Sequence, residues 1–257
     1  AGDELLAAGL RLTPQRLIAA AAADQSELAV VARPRVMILS TGDELHEPGQ
    51  GPGGGASIPE SVSFGLAALV RAWGGEVVGR RRLGDDLSLL QAAAGEALQA
   101  ADLVVVTGGA SVGQRDYAKV MFAPFGLDCV FAKVAIKPGK PVWLGRAGGK
   151  LVVGLPGNPT AALVTARLPL APLVAGLGGQ APDRALAWRR APLTEALEAC
   201  GDRETFVRGQ RLAAGVAPLS DQDSSSQRAL ALADVLIRRR PGDLAAAIGD
   251  RVEVLEF

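Results

Sequence analysis

The sequence has 257 residues, 49% hydrophobic and 21% charged, which suits about two domains with cores of their own. Twenty-seven basic residues balance 27 acidic ones, so the net field argues against nucleic acid or an anionic membrane as partner, and any anion site has to be local. No apolar run approaches the roughly 20 residues that span a bilayer, and the opening "AGDELLAAGLRLTP" carries acids where a signal peptide carries bases, so a cytoplasmic location is expected.

Residues 1–32 read as an alanine-rich helical piece, the remnant of a linker or larger domain. From Arg35 strands and helices alternate. "RVMILST" (35–41) is a buried-strand pattern, and 61–75 is helical, with Phe64, Leu66, Leu69, Val70 and Trp73 on one face and a glycine stop. A strand over 75–83, a helix over 85–101, a strand over 103–107 and a helix starting near Asp116 follow. Strands near 129–136, 142–145 and 151–154 lead to a helix within 154–179, for which Asn158 is the cap and Pro159 the first helical residue. This alternation predicts right-handed crossovers and an α/β domain over 33–180, a doubly wound, mostly parallel sheet covered on both faces. After Gly179 short strand-like pieces such as "ETFVRGQRL" and "DRVEVLEF" predict a small all-β, barrel-like domain over 181–257.

Ligands of doubly wound sheets sit beyond the carboxyl ends of the strands. Four turns qualify, and they are expected to converge on one crevice: 40–49 with Thr41, Gly42, Asp43 and Glu44; 107–116 with Gly108, Gly109, Ser111, Gly113 and Asp116; 136–141 with Lys137, Lys140 and Pro141; and 154–159 with Pro156, Gly157 and Asn158. The 107–113 turn is neither a dinucleotide fingerprint nor a Walker A sequence, which disfavours a nicotinamide enzyme and a P-loop ATPase. Only five of the basic residues are lysines, and Lys133, Lys137 and Lys140 crowd together, as suits a compact point charge for an oxyanion. His46 is the only histidine and reads as solvated. Cys129 and Cys200 form neither a disulfide framework nor a metal knuckle and read as buried small hydrophobes. Among the carboxylates Asp116 is the strongest candidate for holding a hard cation, whereas Asp85 and Asp86 also suit a helix cap.

The segments "STGDEL", "VVVTGGASVGQRDYAK", "AIKPGKPVW" and "GLPGNP", in that order and ahead of a small β domain, resemble the molybdopterin molybdenumtransferase family, relatives of the gephyrin E domain. The resemblance implies a transferase that inserts molybdenum from molybdate into adenylylated molybdopterin and releases AMP with a divalent cation, Mg2+. It implies that Ser111 and Gly113 bind the substrate's phosphate or pterin region, that Asp116 positions the cation, for which Asp86 is the second carboxylate candidate, and that Lys137, Lys140 and Pro141 contact oxyanions, with Lys140 nearest molybdate. It assigns Arg208 of "FVRG" and Ser224 of "DQDSSS" to the molybdate pocket. A homodimer and hand-over from the upstream molybdopterin adenylyltransferase are further implications, with dimerisation resting on an amino-terminal lobe that precedes residue 1 in the family.

The sequence departs from the family pattern at four positions. Glu60 and Val62 of "SIPESVS" stand where an aspartate and an asparagine are usual, Ala161 where a serine is common, and Asp223 where glycine is usual. These departures leave open a second reading, a non-catalytic paralogue that binds molybdopterin or a partner without turnover.

Overall fold

The computed structural model describes residues 3–51, 57–108 and 117–257. An isolated helix α1 (Pro14–Ala22) precedes the first strand, β1 (Arg35–Thr41). Two short strands, β2 (Leu45–His46) and β3 (Ile58–Pro59), pair with each other beside it. Next come α2 (Val62–Ala72), β4 (Glu76–Leu83), α3 (Leu87–Ala100), β5 (Leu103–Thr107), a single turn α4 (Tyr117–Val120), β6 (Asp128–Phe131), β7 (Ile136–Lys137), β8 (Trp143–Ala147) and β9 (Lys150–Leu155). The first sheet has the order β4-β1-β5-β9-β8-β6. Its first four strands are parallel, and β8 and β6 add an antiparallel edge.

Two-residue periodicity explains why helices cover both faces. Val36 and Ile38 of β1 and Leu103 and Val105 of β5 join a core with Leu66 and Val70 of α2. The alternate residues, Leu39, Val104 and Val106, join a second core with Leu90 and Leu98 of α3. Every residue of β5 is therefore buried, as a strand sandwiched between helix layers requires.

The helix after β9 consists of α5 (Pro159–Thr165) and α6 (Ala171–Leu177), joined by a widened π-helical turn over Ala166–Leu170. Pro169 sits inside that turn, where its missing N–H breaks the regular ladder. Contrary to expectation, Pro159–Leu177 is a run long and apolar enough to cross a bilayer by length and composition; most of it is buried in this molecule's own core. Asn158 stands at the cap position, but its side chain makes no capping hydrogen bond. Asp86 does cap its helix, accepting from Leu89 N at 3.0 Å.

The second sheet is antiparallel, β10 (Arg189–Pro192), β14 (Arg251–Glu256), β13 (Val235–Arg239), β11 (Glu204–Leu212) and β12 (Gly215–Pro218) in spatial order, with α7 (Gln227–Leu232) alongside. A bridge between Leu193 and Val216 brings the end of β10 to β12, which gives the sheet its barrel-like curl. The two sheets are stitched together where β7 pairs in parallel with β11, Ile136 opposite Glu204 and Lys137 opposite Thr205.

Both cysteines differ from the reading as buried hydrophobes. Cys129 is exposed because β6 is the edge of its sheet, and Cys200 is half-buried with Sγ 3.3 Å from the Arg203 carbonyl.

At the amino ends of the parallel strands, Asp102 accepts from Arg35 N at 2.9 Å and pairs with the Arg35 guanidinium at 3.4 Å and Lys150 Nζ at 3.3 Å. The Arg35 backbone hydrogen bond, above all, holds its carboxyl below the usual range. A depressed folded-state pKa contributes stability above the unfolded value near 4 and loses it as pH falls through the folded one. Asp102→Asn is expected to cost about 0.5–1 kcal/mol at pH 7, the pair being partly solvent-screened, and progressively less below pH 4, as read from urea unfolding at each pH.

Candidate functional site

Strand order reverses between β1 and β5, so a crevice opens beyond their carboxyl ends. A cavity of about 590 Å³ lies there. Thr41, Glu44, Gly108, Gly157 and Asn158 line it, together with Glu60. Close backbone approach shapes this wall. Gly108 has φ +89°, and a Cβ there would stand 2.3 Å from the Thr41 carbonyl oxygen. Gly157 packs on Gly108, with its own hypothetical Cβ 3.3 Å from the Gly108 Cα. Only glycines let the ends of β1, β5 and β9 meet this closely.

Beneath the wall runs a buried hydrogen-bonded chain. Thr107 Oγ1 donates to Ser40 Oγ at 3.2 Å, and Ser40 Oγ donates to Glu60 Oε1 at 3.2 Å. Glu60 Oε1 also accepts from Ser63 N at 2.8 Å, and Oε2 accepts from Ser63 Oγ at 2.5 Å. Arg80 closes the chain on Ser63 Oγ at 2.9 Å. Glu60 is 4% exposed, and Ser40 and Ser63 satisfy its carboxyl oxygens just ahead of α2.

Gly42 and Asp43 support the crevice without lining it. Gly42 N donates to the Leu83 carbonyl, and Asp43 Oδ1 accepts from Asp85 N at 2.9 Å, which pins the turn after β1 to the turn after β4. His46 differs from the solvated reading: it is half-buried in the β2–β3 pair, Gly51 packs on its ring, and Nδ1 is buried with no partner among the described residues. Gly109, Ser111, Gly113 and Asp116 lie outside the described residues.

The lysine turn does not enter this crevice. Lys137, Lys140 and Pro141 line a neighbouring cavity of about 770 Å³ between the two sheets, with Ala161, Ser224 and Arg239 on its other sides. The physical reason is the β7–β11 pairing, which carries the turn toward the second sheet. Gly139 holds it against α5, because φ is +108° and a Cβ there would overlap Thr165 Cγ2 at 2.1 Å. Lys137 and Lys140 are exposed and have no ion-pair partner among the described residues; Lys133 is exposed and lines neither cavity. Asn158 Nδ2 donates to Ser224 Oγ at 3.3 Å, so one amide forms the wall between the crevice and the lysine cavity.

Arg208 is 1% exposed and stands behind that wall. Its Nη2 donates to the Asp221 and Asp223 carbonyls at 3.0 Å each, and Gln222 clamps its backbone from both sides. Burial pushes its pKa down, opposed by the charges of Asp221 and Asp223. Asp223 is exposed and closes a local turn, accepting from Ser225 N at 2.7 Å and Ser225 Oγ at 2.6 Å, and the Ser225 hydroxyl is the main cause that holds its carboxyl below the usual range. Pro156 is buried in the β9–α5 connection. Asp86 spends one carboxylate oxygen on its helix cap, and among the described residues no group of three or more His, Cys, Asp or Glu is placed to hold a metal ion. Ser225 and Gln227, which reach the crevice from the second sheet's side, carried no distinguishing signal in a run of serines.

Two family models divide the chain between them: "Probable molybdopterin binding domain" over residues 37–176 and "MoeA C-terminal region (domain IV)" over 190–257. The chain belongs to the MoeA family. It is 37% identical over 215 residues to molybdopterin molybdenumtransferase 2 of Mycobacterium tuberculosis, covering 81% of this chain and 52% of that protein. It is 31% identical over 268 residues to the molybdopterin molybdenumtransferase of Bacillus subtilis, covering 99% of this chain and 60% of that one. The solved molybdopterin biosynthesis MoeA protein of Pyrococcus horikoshii superposes with a TM-score of 0.84 at 26% identity, over 98% of this chain and 61% of that one. The chain thus spans about half to three fifths of the length of these MoeA-family relatives.

Gly108→Ala is expected to destabilise by roughly 1–3 kcal/mol, since it adds a strained positive φ to a clash with backbone. A urea titration checks this, and an unchanged midpoint would show that the turn relaxes freely.

Proposed function

We propose that this chain carries out the MoeA-type reaction, inserting molybdenum from molybdate into the dithiolene of adenylylated molybdopterin and releasing AMP. The observation that carries the reading is a pair of adjoining cavities that share the Asn158–Ser224 wall. The crevice offers glycine backbone at Gly108 and Gly157, beyond the ends of β5 and β9, which suits the pterin and phosphate parts of the larger substrate. The lysine cavity offers two ammonium groups that have no ion-pair partner among the described residues, with Glu198 and Asp202 elsewhere in its lining, and such groups suit a tetrahedral dianion.

In this reading Lys140 and Lys137 hold molybdate and counter the charge that develops as its oxygens leave. Ser224, held by Asn158, supplies a hydroxyl at the boundary where metal and substrate meet. Arg208 acts as a positioning residue, because it holds the 221–223 turn that carries Ser224. Mg2+ belongs to the same reading, with Asp116 as its principal ligand and the free carboxylate oxygen of Asp86 as the second. A homodimer, a cytoplasmic location, division of the chain at residues 32 and 180, and receipt of substrate from an adenylyltransferase complete the proposal.

Incubation with adenylylated molybdopterin, Mg2+ and molybdate tests it. Molybdate-dependent AMP release supports the transferase, whereas tight binding without release supports a non-catalytic binding protein. Lys140→Ala is expected to reduce molybdate-dependent AMP release about a hundredfold, with an unchanged melting temperature. Full turnover in that variant would remove the lysine cavity from the reaction.

A further inference from the structure

The second sheet carries a groove that the two substrate cavities leave unused. It has a volume of about 390 Å³ and lies between β10, β13, β14 and the turn before β14. Five arginines line it, Arg190, Arg238, Arg239, Arg240 and Arg251, against three carboxylates, Asp243, Asp250 and Glu253.

Sheet register explains the crowding. Glu253 on β14 is the partner of Arg190 on β10 and of Arg238 on β13, so both arginines share its face. Arg240 Nη2 also reaches Glu253, at 2.8 Å. Glu253 thus has an arginine on the neighbouring strand at each side, yet it is Arg240 that pairs with it, while Arg238 is paired with Glu204. Asp250 spends an oxygen on Ala247 N at 2.7 Å. Arg190 and Arg251 have no carboxylate partner among the described residues, and Arg251 Nη2 donates to the Arg190 carbonyl at 3.0 Å.

A second observation concerns a buried donor. Arg239 is 4% exposed and lines both this groove and the lysine cavity. Its Nε stands 3.6 Å from Asp243, and its Nη2 donates to the Leu244 carbonyl. Nη1 is buried and has no hydrogen-bond partner among the described residues. Like charges on neighbouring strands repel, and a buried guanidinium nitrogen without an acceptor is costly. A bound anion with several acceptor oxygens relieves both penalties at once.

We propose that this groove is a second oxyanion site, which takes a tetrahedral dianion, and that Arg239 is the wall it shares with the lysine cavity. The choice of molybdate as that dianion rests on the function proposed above; the groove's preference for an oxyanion does not. Two cationic sites back to back let an ion be collected at the exposed arginines before it occupies the lysine cavity.

Equilibrium dialysis of the chain with radiolabelled molybdate, and separately with phosphate, tests the proposal. Two molybdate ions per chain are expected. Lys140→Ala is expected to lose the cavity ion and keep the groove ion. The double variant Arg190→Ser/Arg251→Ser, which changes only exposed side chains, is expected to keep the cavity ion and weaken the groove ion about tenfold or more at an unchanged melting temperature. A single ion that Lys140→Ala abolishes and the double variant leaves intact overturns the groove and keeps the lysine cavity. A single ion lost only in the double variant does the reverse. Phosphate in the groove with molybdate excluded supports the oxyanion site and rejects molybdate as its ligand.

Discussion

The pairing of two residues with two others, Ile136–Lys137 with Glu204–Thr205, fixes where everything around the lysine cavity can be. A ladder this short contributes only about 1 kcal/mol for each of its few hydrogen bonds, so it cannot hold two sheets together alone. Packing does the rest. Ile136 and Val142 at either end of the lysine turn, and Phe206, Leu236 and Leu255 from the second sheet, belong to the same buried cluster as Val36 and Leu103. Arg167 straps the far side, its Nε donating to the Glu256 carbonyl and its Nη1 to the Ala185 carbonyl, each at 2.7 Å. The two sheets thus share one core, and the cavity between them has walls that cannot move independently.

The division of labour between arginine and lysine follows from that construction. Arg167, Arg208 and Arg239 are buried; Arg167 and Arg208 each donate to two backbone carbonyls and Arg239 to one. The planar fork of a guanidinium holds its donors in fixed directions, whereas a lysine offers a single flexible point charge. Lys137 and Lys140 stay exposed on a turn whose glycine is clamped by Thr165, with their charges facing open volume. The scarcity of lysine in this chain thus has a structural counterpart: arginine does the bracing, and lysine is kept where a bare, mobile charge is useful.

What could be read from the sequence was what local chemistry decides. The alternation in "RVMILST" and "LVVVT" places β1 and β5 at Arg35–Thr41 and Leu103–Thr107, because a strand covered on both faces leaves no other use for so many β-branched residues. Four glycine- and proline-rich turns stood out for the same reason. Their grouping did not, since it depends on a strand of two residues pairing across more than sixty positions, and such a strand has no periodicity to detect. Thr41, Gly108 and Gly157 were expected to share one crevice with the lysine turn; the long-range pairing puts Lys137 and Lys140 in a cavity on the other side of the Asn158–Ser224 wall. Asn158 shows the same limit. Its position before Pro159 is that of a helix cap, but a partner 66 residues away takes its amide.

The departures from the family pattern look different once their partners are known. Glutamate at position 60 is one methylene longer than the usual aspartate, and that reach lets it join Ser40 at the end of β1 to Ser63 in the first turn of α2. Its carboxylate accepts three hydrogen bonds, from Ser40 Oγ, Ser63 N and Ser63 Oγ, and Arg80 in turn donates to Ser63 Oγ, so the added acid is tied into the crevice wall. Asp223 is rewired in the same way, since its carboxylate closes a tight turn on Ser225 while its carbonyl receives Arg208. Val62 and Ala161 have no such compensation, and each removes a polar group from a cavity lining. The added acids are thus spent on holding the cavity walls, while the lost amide and hydroxyl leave the two cavities more dependent on backbone and on the lysines for their grip on anions.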